Sequence, residues 1–257
     1  MKNFYFVGCS VTYGEDLSPE EKTTISFPAL ISKYHNATFI NDGTCGSSNQ
    51  RISSKVLQNI NKYDQMYIQW TASNRFTMYD PKNWYEVNFT HQMVNLVYQS
   101  CDYYNIFGKY YFSYWSSVLF EFKTFLERIV MLQSILDQQN QSYLMWCGLT
   151  PEWKQLVCDE TEFIKNLSSL IDISNFDDTM ILQQHAEIQN LCKLINYRNF
   201  ITPAQFDGYE LFLGKFPLGP TGHSLREGEQ YVADNILNFE RTQDANTSVG
   251  KTPVRSV

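Results

Sequence analysis

Three short apolar runs in the first seventy residues each stop at a polar loop of small residues, and this pattern constrains the fold most. Phe4 to Val7 ends in Gly8, Thr38-Phe39-Ile40 ends at "NDGTCGSSNQR", and Met66-Tyr67-Ile68 ends at "QWTASNR". Continuous apolar runs of this length are the mark of strands buried on both faces of a parallel sheet. Between them, "FPALISKYH" and "SSNQRISSKVLQNINKY" have helical spacing, with Ile52, Val56 and Ile60 on one face of the second. Strands alternating with helices predict βαβ units, and so an α/β chain built on a central parallel sheet.

The later chain continues the alternation. Val118, Phe122, Phe125, Ile129, Leu132 and Leu136 recur every three or four residues, which predicts one long amphipathic helix over 117–140. "SYLMWCGL" reads as a fourth strand, Pro151 to Asn196 as helical, Phe200-Ile201 as a short fifth strand, and Arg226 to Phe239 as the last helix. The stretch from Phe76 to Trp115 is rich in Tyr, Phe, Trp and Asn without a clear period. It reads as an insertion, around 76–116, of mixed short helices covering the rim of the sheet. Residues 1–239 are expected to form a single domain, and 240–257, almost without apolar side chains, a disordered tail.

Composition excludes several classes of function. With 257 residues, 43% hydrophobic, 16% aromatic and 18% charged, the chain can bury a full core. A formal charge of -7 and the lack of any Lys/Arg run argue against nucleic acid as a partner. No apolar run reaches the roughly 18 residues of a membrane span. "FVGC" has the look of a lipobox, but the apolar stretch before it is far shorter than the roughly 7–15 residues of a secretory signal, so a cytoplasmic location is expected. The six cysteines are scattered without metal-ligand spacing, which predicts free thiols in a reducing compartment and no metal site. No cofactor is implied.

In an open α/β sheet, ligands bind beyond the carboxyl ends of the strands. That rule gathers "GCSVTYG", "NDGTCGSSNQ" and "WTASNR" into one place. Ser10 stands just past a buried strand, where a nucleophile would sit; a serine there also serves as an ordinary helix cap. Cys9 competes as a nucleophile but is expected to point into the core. Gly46 and Asn74 are candidate oxyanion donors, although both are also common turn residues. Of four histidines, His35, His91 and His185 fall in helical or insertion segments. His223 lies in the loop "GPTGHSLREGEQYVADNI", which opens the last helix, and is the best-placed base.

Taken together, these segments resemble the SGNH/GDSL hydrolases. "FVGCSVTYG" resembles their first block, with Gly8 and Ser10 kept and Cys9 where the family has Asp. "NDGTCGSSNQRI" resembles the second, placing the oxyanion glycine at Gly46. "YIQWTASNR" occupies the third, whose usual G-x-N-D is absent; Asn74 is the nearest oxyanion Asn, with Thr71 or Ser73 as substitutes. The last block keeps His223, Gly228 and the helix, but has Pro220 and Thr221 where the acid should stand, which leaves Asp207 as a candidate replacement.

The resemblance implies a flavodoxin-like, three-layer α/β/α sandwich and a serine esterase. Ser10 would attack a short acyl ester, such as an acetyl group on a carbohydrate, and His223 would act as base. The backbone N–H groups of Ser10 and Gly46, with the Asn74 side chain, would form the oxyanion hole. The altered blocks also leave open an acyltransferase, or a binding or assembly protein that has lost the triad. The aromatic segment from Asn83 to Trp115 could stack on sugar rings. The W-T-x-x-x-R third block and the aromatic middle further resemble SGNH-like proteins of tailed bacteriophages, which would place the protein in the host cytoplasm.

Overall fold

A computed structural model describes residues 1–79, 86–89, 117–150, 152–171, 173 and 176–249. Its centre is a five-stranded, all-parallel sheet of β1 (Asn3–Val7), β2 (Thr38–Asn41), β3 (Gln65–Trp70), β6 (Tyr143–Cys147) and β7 (Phe200–Ile201), in the order β2-β1-β3-β6-β7. All five expected strands form. The chain leaves β1 toward β2 on one side and later returns to β3 on the other, so the end of β1 lies at the switch point of the sheet.

Side chains alternate along the strands, which divides the core into two layers. Phe4, Phe6, Tyr67, Leu144 and Trp146 face one side. There they pack on Phe27 and Ile31 of a helix at Phe27–Tyr34 (α3) and on Val232, Ala233 and Ile236 of the last helix. Tyr5, Val7, Met66, Ile68, Trp70, Tyr143 and Met145 face the other side. Their partners are α4 (Asn49–Asn59), α5 (Val118–Gln138), α6 (Glu152–Leu156), α7 (Glu160–Leu170) and α8 (Asp178–Leu194). The predicted stripe of α5 is realised, with Phe122, Phe125, Ile129, Leu132 and Leu136 all buried. The result is the expected three-layer α/β/α arrangement. Ser48, Asp159 and Asp177 cap α4, α7 and α8 through their side chains, which fixes where these helices begin.

Two expectations need correction, and one element was unforeseen. α1 (Ser10–Tyr13) is followed by an unforeseen short helix, α2 (Pro19–Thr24), whose Ser18 and Glu21 form a capping box. Within the presumed helical insertion, Phe76–Tyr79 (β4) and Glu86–Phe89 (β5) form an antiparallel pair. Runs of four residues are too short for their period to be read. The remaining residues of the insertion, and most of the segment from Asn83 to Trp115, lie outside the described residues. The last helix, α9 (Arg226–Val249), runs ten residues beyond its predicted end into the supposed disordered tail. Polar anchors hold the extension where apolar ones are lacking: Glu240 accepts a hydrogen bond from the Tyr67 hydroxyl at 2.8 Å and lies 3.0 Å from His35 Nε2. Among the described residues, no helix is long and apolar enough to cross a membrane.

One buried acid ties two helices together. Glu229 of α9 is 1% exposed and accepts a hydrogen bond from the Phe27 N–H at the start of α3, at 2.7 Å. Burial pushes its carboxyl up to about 8 from the ordinary 4.5, against the opposing pull of the Phe27 N–H. Above the unfolded value the folded chain keeps a proton that the unfolded chain has released. Stability should therefore fall as pH rises toward 8, by up to about 1.4 kcal/mol per pH unit. Urea unfolding between about pH 5.5 and 7.5 should show a slope that is shallower by about one proton in Glu229→Gln. Equal slopes in the two proteins would mean that Glu229 is ionised in the fold.

Candidate active site

Gly8 and Cys9 carry the chain from β1 into α1. Cys9 occupies the N-cap position, and its side chain is fully buried in the core on the α3/α9 side. Ser10 is the first helical residue, so its hydroxyl is not the cap of the turn. It is 5% exposed, and its Oγ lies 2.7 Å from His223 Nε2. Serine and histidine are 213 residues apart in the chain and meet within hydrogen-bonding distance.

Three neighbouring segments fix α1. Gln69 Oε1 at the end of β3 accepts from the Thr12 N–H at 3.1 Å and from the Thr12 hydroxyl at 2.5 Å. Asn41, ending β2, donates from Nδ2 to the Thr12 carbonyl at 2.6 Å and accepts from the Gly43 N–H at 3.0 Å. The Thr44 N–H donates to the Gly8 carbonyl at 3.2 Å. The loop after β2, which contains Gly46 in a left-handed conformation (φ 70°), is thereby held against the turn that bears Ser10.

His223 sits in a loop closed by a bridge between Leu218 and Ser224. The carboxylate beside it comes from the first block. Asp16 Oδ2 is 4.0 Å from His223 Nδ1 and accepts from the backbone N–H groups of His223 and Thr221, each at 3.1 Å. Thr221 Oγ1 lies 3.0 Å from Nδ1 and also hydrogen-bonds Asp16. With Nε2 accepting from Ser10, Nδ1 carries the ring proton and donates to Thr221, whose own hydroxyl proton goes to the carboxylate; this tautomer is assigned from the network. Asp207, the acid suggested by the sequence, is 2.7 Å from Lys154 Nζ instead. Asp16 was missed because its backbone reaches His223 through a left-handed turn (φ 67°) that no spacing rule encodes. Asp tolerates that conformation better than most residues, and the Thr221 and His223 N–H groups that donate to its carboxylate hold it there.

The electrostatics favour a neutral imidazole and an ionised acid. Burial lowers the His223 pKa, Glu15 and Asp16 pull it up, Arg75 lowers it, and the net shift is below the ordinary 6.5. For Asp16, burial pushes upward, but the His223 N–H and the Thr221 hydroxyl and N–H outweigh it and hold the carboxyl below its usual value. Next to Gly46, the Cys45 thiol hydrogen-bonds Glu15. Partial burial and that carboxylate push Cys45 up to about 12, so it stays protonated.

The third segment is held by a residue the sequence reading gave no role. Asn49, buried at the start of α4, donates from Nδ2 to the carbonyls of Thr71 (3.1 Å) and Ala72 (3.2 Å) and accepts from the Thr71 N–H (2.9 Å). Its only sequence signal was its place after the cap Ser48. Asn74 lies in the turn that follows, and its side chain hydrogen-bonds none of the described residues. The Thr71 hydroxyl is buried without a partner among them. Of the other histidines, His35 faces Glu240, His185 Nε2 is 3.0 Å from the Cys158 carbonyl, and His91 lies outside the described residues.

No protein-family model and no curated protein sequence matches the chain. Among solved structures it is similar to a variant of Axe2, an acetyl-xylooligosaccharide esterase from Geobacillus. That match has 14% identity, covers 93% of each chain, and has a TM-score of 0.46. It is also similar to esterase EstA from Pseudoalteromonas sp., at 8% identity over 94% of this chain and 98% of the other, with a TM-score of 0.46. A third similarity is to a lipolytic protein of the G-D-S-L family from Veillonella parvula, at 12% identity over 92% and 96%, with a TM-score of 0.43. These likenesses lend the bacteriophage attribution no support.

Proposed function

We propose that the protein is a divergent serine esterase of SGNH type acting on a short acyl ester. The observation that carries this reading is the 2.7 Å approach of Ser10 Oγ to His223 Nε2, backed through Thr221 by Asp16. Ser10 Oγ attacks the acyl carbon while His223 Nε2 takes its proton. The imidazolium then gives that proton to the leaving alcohol as the C–O bond breaks. Water, deprotonated by the same nitrogen, releases the acid and restores Ser10. The Ser10 and Gly46 N–H groups and the Asn74 side chain are assigned to the developing oxyanion. An acetyl ester on a carbohydrate is the substrate suggested by the family resemblance.

A fluorophosphonate probe should label the wild type and not Ser10→Ala, and the same pair should differ in hydrolysis of a short-chain aryl ester. A wild type that takes no label and hydrolyses no such ester would overturn the proposal in favour of a binding protein on this fold.

A further inference from the structure

The loop after β3 ends in Arg75, and Nη1 of its guanidinium is buried without a hydrogen-bond partner among the described residues. A native fold rarely leaves such a donor unpaired, because its lost hydration is repaid only when an acceptor arrives. The side chain borders a pocket of about 150 Å³ between this loop and α5, lined also by Asn49, Gln50, Ser73, Glu121 and Arg128. Arg128 donates from Nη1 to Ser53 Oγ at 3.2 Å, and burial lowers its pKa, so the second cation is desolvated too. Two guanidinium groups and one carboxylate leave this wall one positive charge in excess, which suits a monoanion. Asn49 and a turn from the Arg75 N–H to the Ala72 carbonyl (3.3 Å) fix the loop. Asn49 and Ser73 on the pocket wall follow β2 and β3, so the pocket lies at the same carboxyl edge of the parallel sheet as the turn after β1 that bears Ser10.

We propose that this pocket is a carboxylate subsite, and that the ester attacked by Ser10 carries a carboxylate which binds the Arg75 guanidinium. This rests on the serine-esterase reading. The planar fork of arginine matches a carboxylate through paired N–H donors, a geometry lysine cannot copy.

The test compares kcat/KM for 3-acetoxybenzoate with its neutral isostere 3-acetoxybenzamide, and for the 4-nitrophenyl monoester of succinate with 4-nitrophenyl butyrate. In at least one pair the wild type should favour the anion by about tenfold or more, the factor expected of one charge-assisted hydrogen bond. The ratio should fall to about one in Arg75→Gln and be intermediate in Arg75→Lys. No preference in the wild type, or one that survives in Arg75→Gln, overturns the subsite. Binding to Ser10→Ala, followed by NMR with 3-hydroxybenzoate and 3-hydroxybenzamide, separates the two ideas because it needs no turnover. Selective binding of the carboxylate that Arg75→Gln abolishes supports the subsite even where no ester is cleaved, and its absence overturns it.

Discussion

Replacing Asp16 by Asn is expected to lower kcat on a short-chain aryl ester by about 10²–10⁴-fold, the upper end being the loss seen when a serine-protease triad loses its acid. Asp16 does not touch the imidazole as a triad acid does: 4.0 Å separates its Oδ2 from Nδ1, and the Thr221 hydroxyl stands between them. Two effects should therefore be separable. Thr221→Val removes the bridge but keeps the charge, and should cost about tenfold, the worth of one hydrogen bond. Asp16→Asn removes the charge that pulls the His223 pKa up, so the acid limb of the pH–rate profile should move to lower pH as kcat falls. A residue that only braced the loop would reduce kcat and melting temperature together and leave the limb in place. Asp207→Asn, which disturbs an ion pair with Lys154, should leave turnover near wild type. If Asp16→Asn keeps kcat within about threefold, the histidine takes its orientation from elsewhere.

The position of this acid explains how far the site was legible before the fold was known. That Ser10 and His223 would meet was readable because each borders a recognisable element: Ser10 follows an apolar strand, and His223 lies in the loop that opens an amphipathic helix. The sheet was readable for the same reason, since β1, β3, β6 and β7 are buried on both faces and so carry apolar runs, whereas the edge strand β2, half exposed, showed only the short run of Phe39 and Ile40. Asp16 was in plain view beside Ser10, yet its role depends on a tertiary contact across 207 residues. Asn49 likewise appears as a polar residue opening a helix, and only the fold shows it holding the loop after β3. The helix beyond Phe239 was missed because its support comes from Tyr67 and His35, polar partners that leave no periodic apolar trace.

The second large effect is expected from a methyl group away from the reacting atoms. A Cβ on Gly43 would meet the backbone of α1, overlapping Tyr13 N and coming within 2.7 Å of the Thr12 carbonyl carbon and 2.9 Å of Tyr13 Cα. Side chains can rotate away from such a contact, but these are backbone atoms of the turn that places Ser10. They are already held by Asn41 at the Thr12 carbonyl and by Gln69 at the Thr12 N–H. The methyl group can be admitted only by moving α1 or peeling back the loop that carries Gly46. Overpacking of this kind costs about 1–3 kcal/mol, which for a chain of this size lowers the melting temperature by about 2–12 °C. Activity should fall further than stability alone predicts, because a displacement of about 1 Å at a catalytic group can cost roughly 10²-fold. Gly214→Ala is the control: its φ of 74° disfavours any side chain, but nothing lies within 4 Å of the added carbon. It should be destabilised while still taking the fluorophosphonate label at the wild-type rate. Slowed labelling in folded Gly43→Ala alone would locate the effect in the contact between the loop after β2 and α1; equal rates in both variants would show that this contact does not set the geometry of Ser10.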